Sequence, residues 1–139
     1  METIVKLECV PDWLVDLFQH IDQKDHVGAS KYIDKEVEIQ FAHFQLKGVE
    51  QFIEFVGNFN NQFSEYHHEI EEIWVGGNKL MFGGRIDFIL KEGSRVSTPF
   101  WDVFTTNANE PKKIQKALAL FDLSALPRSY WEHLSVKRE

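Results

Sequence analysis

The sequence predicts an α+β protein in which a curved antiparallel or mixed sheet closes into a cone and three helices, from its N-terminal and central parts, close a pocket. As far as Phe63, apolar residues recur mainly at helical spacing, whereas from Tyr66 onward they alternate with period two. Helices followed by a meandering sheet are typical of the α+β class. The 14% of aromatic residues exceeds what a core of this size needs, which predicts an aromatic-lined cavity, an aromatic dimer face, or both.

Three helices are predicted before the main sheet. Pro11 and Asp12 suit a helix start, and the first helix runs from there to Lys24. A shorter helix follows from His26 to Ile33. The third helix begins after Gly48, and its apolar residues give it a strongly aromatic face. These residues are Val49, Phe52, Ile53, Val56, Phe59 and Phe63.

Five segments alternate polar and apolar residues as half-buried strands do. They are Glu36–Phe41, Glu69–Val75, Lys79–Lys91, Arg95–Thr106 and Lys113–Leu123. Gly76 to Asn78 and Glu92 to Ser94 are predicted hairpin turns. Gly83 and Gly84, inside a strand, indicate a bulge that bends the sheet.

Length and charge narrow the function classes. A chain of 139 residues predicts a single domain over residues 1–139 with its core at about 11–126. The net charge of −7 argues against nucleic acid as a partner. The sequence has no basic and apolar leader and no apolar run of about 18 residues, so we expect a cytoplasmic protein without a membrane partner. The single cysteine, Cys9, forms no internal disulfide.

The strand Lys79–Lys91 is apolar on both faces, so each face requires a cover. One face carries Phe82, Ile86 and Phe88, and we predict that a second copy of the chain covers it in a homodimer. The alternative is that the C-terminal segment around Tyr130 and Trp131 folds over this face.

The other face of the same strand carries charge. Arg85 and Asp87 lie two residues apart and point the same way. Charges on an inward face must be paired or serve a ligand. If Phe100 and Phe104 of the next strand point inward, Asp102 does too. The expectation is an aromatic pocket that holds one arginine and two aspartates.

The order of these motifs resembles SnoaL-like domains of the nuclear transport factor two-like superfamily. The residues that carry the resemblance are Tyr32 to Asp34, Gly48 to Phe52, Arg85 to Phe88, Phe100 to Phe104, Ile114, and Phe121 to Leu123. The resemblance covers about Pro11 to Leu126, and it rests on order and spacing. It implies a cone with helices at its mouth, a central pocket, frequent dimers and no cofactor. Relatives include polyketide cyclases, ketosteroid isomerases, limonene-epoxide hydrolases and non-catalytic binders.

The family's reactive positions carry over only in part. Arg85, Ile86 and Asp87 are similar to the Arg-x-Asp pair of the epoxide hydrolases. Their second aspartate, which is also the acid/base aspartate of the cyclases, would fall at Ala119, and a tryptophan of the hydrolases at Ala117. The tyrosine and asparagine that hold the water molecule in the epoxide hydrolases would fall at Ile39 and Phe41. The catalytic base of the ketosteroid isomerases would fall near Phe41. None of these side chains exchanges a proton, so no family mechanism transfers intact.

Asp102 offers a replacement, because it lies on the strand beside the one that carries Ala119. We hypothesise that Asp87 and Asp102 flank Arg85, one ionised and the other with a raised pKa, and do acid/base catalysis on a hydrophobic carbonyl compound or epoxide. The alternative is an Asp-Arg-Asp network that only satisfies itself.

The remaining predictions concern the ligand and the reaction. His43 is a candidate acid or base at the rim of the pocket. The predicted ligand contacts are Trp13, Leu17, Phe41, His43, Phe55, Met81, Phe100, Phe104 and Phe121. The run around His67 and His68 has no spacing that specifies a metal, so neither metal nor cofactor is predicted. The predicted function is a cofactor-free lyase, isomerase, cyclase or hydrolase acting on a hydrophobic small molecule. The alternative is a non-catalytic carrier or a dimeric assembly module of the same fold.

Overall fold

A computed structural model describes residues 10–132 and the backbone of the short strand Ile4–Val5, so Cys9 lies outside the described residues. Within the described residues, seven strands form one mixed sheet, and helices pack on its inner face around a shared apolar core. The predicted α+β class is confirmed. Among the described residues, no helix is long and apolar enough to cross a membrane.

Two helices lie ahead of the first long strand. Helix α1 (Asp12–Asp22) begins after Pro11, whose carbonyl oxygen accepts hydrogen bonds from the first turn. Its apolar face buries Leu14, Leu17 and Phe18. Helix α2 (His26–Ala29) is followed by a 3-10 turn (Ser30–Tyr32), so the second predicted helix ends one residue before Ile33.

The third predicted helix is a continuous helical run with a wide turn in its middle. It comprises α3 (Val49–Gln51), a π-helical segment (Phe52–Val56) and α4 (Gly57–Asn60). Apolar spacing over a single turn does not distinguish an α-helix from a π-helix, which is why the sequence predicts an ordinary helix here. The π-helical segment buries Phe52, Phe55 and Val56.

The strands lie in the order β1-β4-β5-β6-β7-β2-β3. Their bounds are β1 (Ile4–Val5), β2 (Ile33–Phe41), β3 (Phe44–Lys47), β4 (Glu65–Gly76), β5 (Lys79–Ile89), β6 (Arg95–Thr106) and β7 (Ile114–Phe121). The pairs β1/β4 and β2/β7 are parallel and the other neighbours are antiparallel. The sequence does not predict β3, because four residues after a tight turn at Ala42 are too short for an alternating pattern.

A β-bulge lies opposite Gly83 and Gly84 of β5. The register of β4 against β5 shifts between Ile70 and Glu72, so the irregularity is at the predicted place but on β4 and not on the strand that carries the glycines. A Cβ atom on Gly84 would lie 1.8 Å from the carbonyl oxygen of Glu69. Only glycine permits this close approach of the two strands.

The predicted orientation of β5 is wrong. Phe82, Ile86 and Phe88 are buried inside the cone, and Arg85 and Asp87 lie on the outer face of the sheet. Alternation predicts which residues share a face but not which face points inward. The register of β5 against β6 decides it, because it pairs inner residues with inner residues and outer residues with outer residues. Phe82 pairs with Asp102, Gly84 with Phe100, Arg85 with Pro99 and Asp87 with Ser97.

This orientation also rules out both predicted covers of the Phe82, Ile86 and Phe88 face. These side chains are the inner wall of the cone, so neither a second copy nor the C-terminal segment lies on them from outside. The C-terminal segment packs instead on the end of the helical run, where Tyr130 stacks on Phe63 with ring centroids 5.1 Å apart. The Gln62 side chain donates a hydrogen bond to the Tyr130 carbonyl oxygen at 2.6 Å.

Candidate active site

A cavity lies between α1, the helical run and the inner face of the sheet, with a volume of about 90 Å³. Twenty residues line it, of which sixteen are apolar. The apolar lining consists of Leu17, Phe18, Ile21, Ile33, Ile39, Phe41, Phe52, Val56, Phe59, Ile86, Phe88, Phe104, Ile114, Ala117, Ala119 and Phe121, and the polar lining of Asn60, Tyr66, His68 and Asp102. The cavity therefore suits a hydrophobic molecule with few polar atoms.

Asp102 is the acidic group of this lining. Its side chain points inward from β6 and the residue is 5% exposed. Burial raises the pKa of the Asp102 carboxyl to about 7, and His68 opposes this shift. Within residues 10–132 the carboxyl group makes no hydrogen bond or ion pair. At neutral pH it can therefore hold a proton and present it to the cavity.

Two alanines lie beside Asp102. The register of β6 against β7 pairs Asp102 with Ala119 and Phe104 with Ala117, and both alanines line the cavity. The prediction that Asp102 neighbours Ala119 is confirmed. Small side chains at these two positions leave space along the wall next to the carboxyl group.

His68 is the second titratable group of the lining, and it is bonded to a buried aspartate. Its Nδ1 lies 2.7 Å from Asp22 Oδ1, and its backbone N–H donates to Asp22 Oδ2 at 3.1 Å. Asp22 is in the last turn of α1, and its side chain is fully buried. The sequence does not predict this pair. The available signal was that Tyr66, His68 and Ile70 alternate inward along β4.

The other two polar lining residues belong to a hydrogen-bonded chain in the wall. The Tyr66 hydroxyl donates to the Ile21 carbonyl oxygen, and Asn60 Nδ2 donates to His26 Nε2 at 2.8 Å. Burial raises the pKa of Tyr66 and lowers the pKa of His26, so both stay uncharged near neutral pH. The first bond connects the end of α1 to β4, and the second connects α2 to α4.

The predicted cluster of Arg85, Asp87 and Asp102 does not form. Arg85 is exposed, and its Nε donates to Ser97 Oγ at 3.0 Å. Asp87 Oδ2 lies 3.1 Å from His67 Nε2 on the outer face. Of the three, only Asp102 faces the cavity. On β5 the even-numbered residues such as Phe82 point inward, so Arg85 and Asp87 point outward. Asp102 of β6 pairs with Phe82 and therefore points inward as well.

The structure divides the other predicted ligand contacts into three sets. Four of them, Leu17, Phe41, Phe104 and Phe121, line the cavity. Phe55 and Phe100 are buried behind the lining, against Phe44 and Phe82 respectively. The remaining three are misplaced: Trp13 packs on Tyr32, His43 is exposed beside Trp131, and Met81 is 46% exposed on the outer face.

The polar groups of the described chain offer no evident place for a metal ion. No group of three or more His, Cys, Asp or Glu side chains converges within that part of the protein. What the cavity does offer is proton chemistry, through Asp102 and His68.

These features define a class of protein: a cone-shaped α+β domain with one buried carboxyl group and one histidine in an apolar cavity. The profile of the SnoaL-like domain family matches residues 14–114, and the chain belongs to this family. The predicted family resemblance is confirmed. No curated protein matches the chain.

Solved structures share the fold at low sequence identity. A protein named as a SnoaL-like polyketide cyclase from Jannaschia sp. CCS1 is 16% identical, with 86% of this chain and 94% of that chain covered and a TM-score of 0.70. A protein from Catenulispora acidiphila with a ketosteroid isomerase-like fold, in complex with trimethylamine, is 12% identical, with coverage of 84% and 89% and a TM-score of 0.73. An LEH-like epoxide hydrolase from M. tuberculosis is 12% identical, with coverage of 81% and 82% and a TM-score of 0.67. At these identities the likeness concerns the fold alone.

Proposed function

We propose that this protein is a cofactor-free enzyme that moves protons on a hydrophobic small molecule, with Asp102 as the acid. The observation that carries the proposal is the buried, unbonded carboxyl group of Asp102 on the wall of a cavity lined mainly by apolar side chains. A protein gains no stability from such a group, because burying a carboxyl group without a partner is costly. Unsatisfied buried groups of this kind are typical of functional sites.

The raised pKa of Asp102, about 7, suits general acid catalysis. Below this pH the carboxyl group carries a proton and can donate a hydrogen bond to a carbonyl or hydroxyl oxygen of the ligand. In a cavity lined mainly by apolar side chains, this interaction stabilises negative charge that develops on the oxygen. Activity that depends on the acid form falls as the pH rises above about 7.

The geometry favours an isomerase, lyase or cyclase over a hydrolase of the epoxide type. The epoxide-hydrolase arrangement that the sequence resembles needs an arginine and its aspartate in the pocket. In this chain Arg85 is exposed and bonded to Ser97, and Asp87 contacts His67 on the outer face. Asp102 acts without them, which fits proton transfer next to a carbonyl group.

Exchange of carbon-bound protons tests the proposal without knowledge of the natural substrate. The probe is 2-tetralone, a hydrophobic bicyclic ketone, whose α-protons are followed by NMR in D₂O. We expect the wild-type protein to accelerate the exchange and the Asp102→Asn variant to lose about 100-fold of that acceleration. The matched control is Asp87→Asn, which removes an aspartate from the outer face and leaves the exchange unchanged. Equal rates for Asp102→Asn and the wild type would sink the proposal.

A non-catalytic carrier is the second candidate, and the apolar character of sixteen of the twenty lining residues favours it. In addition, three positions that carry reactive side chains in relatives are occupied here by Ala117, Ala119 and Phe41, which cannot exchange a proton. Saturable binding of 2-tetralone without any acceleration of its proton exchange is the result expected of a carrier. Isothermal titration calorimetry alongside the NMR measurement separates the two functions.

We also propose that the protein is a homodimer, through a surface different from the one that the sequence predicts. The outer face of the sheet exposes Trp74, Met81, Trp101 and Leu120. Trp101 lies over Gly83 and stacks on Trp74 with ring centroids 5.9 Å apart. Exposed apolar patches of this kind are typical of protein interfaces, and a second copy of the chain would cover the patch in a symmetric dimer.

Light scattering at micromolar concentration tests the dimer. We expect a dimer for the wild type and a monomer for Trp101→Lys, because a charge in the centre of the patch opposes burial. The control is Val27→Lys, which places the same charge at an exposed apolar residue of α2. A wild-type monomer would contradict the proposal.

A further inference from the structure

His68 is held on three sides in the cavity wall. Its ring lies 4.7 Å from the Phe18 ring and 5.3 Å, edge to face, from the Phe100 ring, measured between centroids. Asp22 binds the same residue twice, through Nδ1 and through the backbone N–H. Because the Asp22 side chain is fully buried, the ring has one defined orientation.

The bond to Asp22 determines where the ring proton sits. A carboxylate accepts hydrogen bonds, so neutral His68 carries its proton on Nδ1 and has a lone pair on Nε2. Among the described residues, the fully enclosed side-chain polar atoms without a partner are His67 Nδ1 and Trp131 Nε1; the Asp102 carboxyl oxygens are not among them, because they border the cavity. His68 Nε2 has no hydrogen bond in that part of the chain and is not among these buried atoms, so it is open to the cavity.

We propose that His68 is the base that takes a proton from the substrate at Nε2, that Asp22 is its positioning residue, and that Asp102 serves the substrate oxygen. This inference rests on the proposed function, and it adds the second proton-transfer group. Sequence reasoning assigned no role to either His68 or Asp22.

The proposed step balances without a co-reactant. The C–H bond next to a carbonyl group breaks, and the proton goes to His68 Nε2. The electron pair moves into the carbonyl group, whose oxygen takes the proton of Asp102. Return of the Nε2 proton to another carbon, with return of the oxygen proton to Asp102, gives an isomer. In an elimination, the C–O bond of a hydroxyl group on the β-carbon breaks, that group takes the Nε2 proton, and the oxygen proton returns to Asp102 as the carbonyl group re-forms, which gives an unsaturated carbonyl compound and water.

The arrangement differs from a merely structural histidine and carboxylate pair. His67 differs from His68, because its Nε2 meets Asp87 and its Nδ1 is enclosed by protein atoms. His68 uses one nitrogen for support and exposes the other to the same cavity that Asp102 faces. That division of the two nitrogens is the arrangement that a general base requires.

Two substitutions of His68 separate its base function from its structural bond. In His68→Asn the side-chain amide retains a donor near the position of Nδ1, so the bond to Asp22 and the fold can persist while Nε2 is lost. We expect exchange of the 2-tetralone α-protons to fall at least 100-fold in this variant. His68→Gln places its amide near the position of Nε2 and serves as the second variant. His67→Asn is the matched control on the same strand and retains wild-type exchange.

Nitrogen-15 NMR of the histidine rings tests the positioning by Asp22 independently of catalysis. We expect the proton of neutral wild-type His68 on Nδ1, and we expect Asp22→Asn to shift it largely to Nε2. Exchange of the probe then falls about tenfold or more in Asp22→Asn, because the lone pair no longer faces the substrate.

Each result decides between the proposals. Loss of exchange in both His68→Asn and Asp22→Asn, together with the shifted ring proton, supports the inference. Exchange that requires Asp102 but survives in both His68 variants overturns the inference and leaves the proposed function standing. No exchange by the wild-type protein overturns both. An unchanged ring proton in Asp22→Asn overturns the positioning role.

Discussion

Strand β4 carries two consecutive histidines, each beside an aspartate, on opposite faces of the sheet. His67 pairs with Asp87 on the outer face, where the Asp87 side chain is 33% exposed. His68 pairs with Asp22 inside the cone, where the aspartate side chain has no exposure. The chemical groups are the same, but only the inner pair borders a cavity. Position in the fold, and not the kind of residue, therefore separates a candidate active site from a pair on the outer face of the sheet.

The aspartates show the same contrast. Asp87 and Asp102 lie on neighbouring strands, but the register places them on opposite faces. Burial raises the pKa of the Asp102 carboxyl to about 7. The predictions below test this difference between the inner and outer faces.

The largest expected difference concerns the pH dependence of stability. The folded pKa of Asp102, about 7, lies above its ordinary value of 3.8, so folding favours the protonated form. The contribution of Asp102 is fully present below pH 3.8 and is lost as the pH rises towards and through about 7, by up to about 4 kcal/mol. The Asp102→Asn variant should not lose this stability with rising pH, because asparagine does not ionise. Urea unfolding at several pH values should therefore show the variant gaining on the wild type between pH 4 and pH 8.

The outer aspartate provides the control for that measurement. Asp87→Asn makes the same chemical change at a partly exposed aspartate, so it shows what the substitution does by itself. Parallel profiles for Asp102→Asn and the wild type would contradict a buried, protonated Asp102.

The next effect concerns the two histidine partners. Asp22→Ala leaves the buried His68 ring and backbone N–H without their acceptor, and we expect a loss of about 2 to 3 kcal/mol in unfolding free energy. Asp87→Ala removes a partly exposed partner and should cost less than about 1 kcal/mol. Urea denaturation measures both. Equal costs would mean that the inner and outer pairs contribute equally to stability, which would contradict this prediction.

A smaller effect is expected from neighbouring residues of β7. Ala119→Leu fills the space next to Asp102, so it should weaken binding of 2-tetralone at least tenfold and cost about 1 to 3 kcal/mol in stability through overpacking. Leu120→Ala removes a side chain from the outer face and should leave binding unchanged. Calorimetry of the two variants measures this, and unchanged binding by Ala119→Leu would place the ligand elsewhere.

The smallest effect is expected for Arg85. Its guanidinium is exposed and bonded to Ser97, so Arg85→Ala should change stability by less than about 0.5 kcal/mol and leave proton exchange unaltered. A large loss of exchange in this variant would support the sequence-based prediction that Arg85 belongs to the active site.

Much of this fold could be predicted because it depends on local periodicity. The helical spacing from Trp13 onward, the alternation after Tyr66 and the glycine turns each reflect a backbone geometry that neighbouring residues determine. The neighbourhood of Asp102 and Ala119 could also be predicted, since both lie on long strands in a regular meander. The strand Phe44–Lys47 and the π-helical segment were missed because each is too short to show a period.

The site was harder to predict because it depends on contacts between distant residues. Asp22 and His68 are 46 positions apart, and no local pattern relates them. Neither does any local pattern choose the inward face of β5, where both faces are apolar.

The sequence by itself determined the class of fold, the family, the aromatic character of the core and the presence of Asp102 among inward-facing phenylalanines. Only the tertiary structure decided that Arg85 and Asp87 lie outside, that His68 lies inside, and that Asp22 holds it. The physical reason is that alternation along a strand has two equivalent solutions. The choice between them is made by strand register and by what each face is packed against.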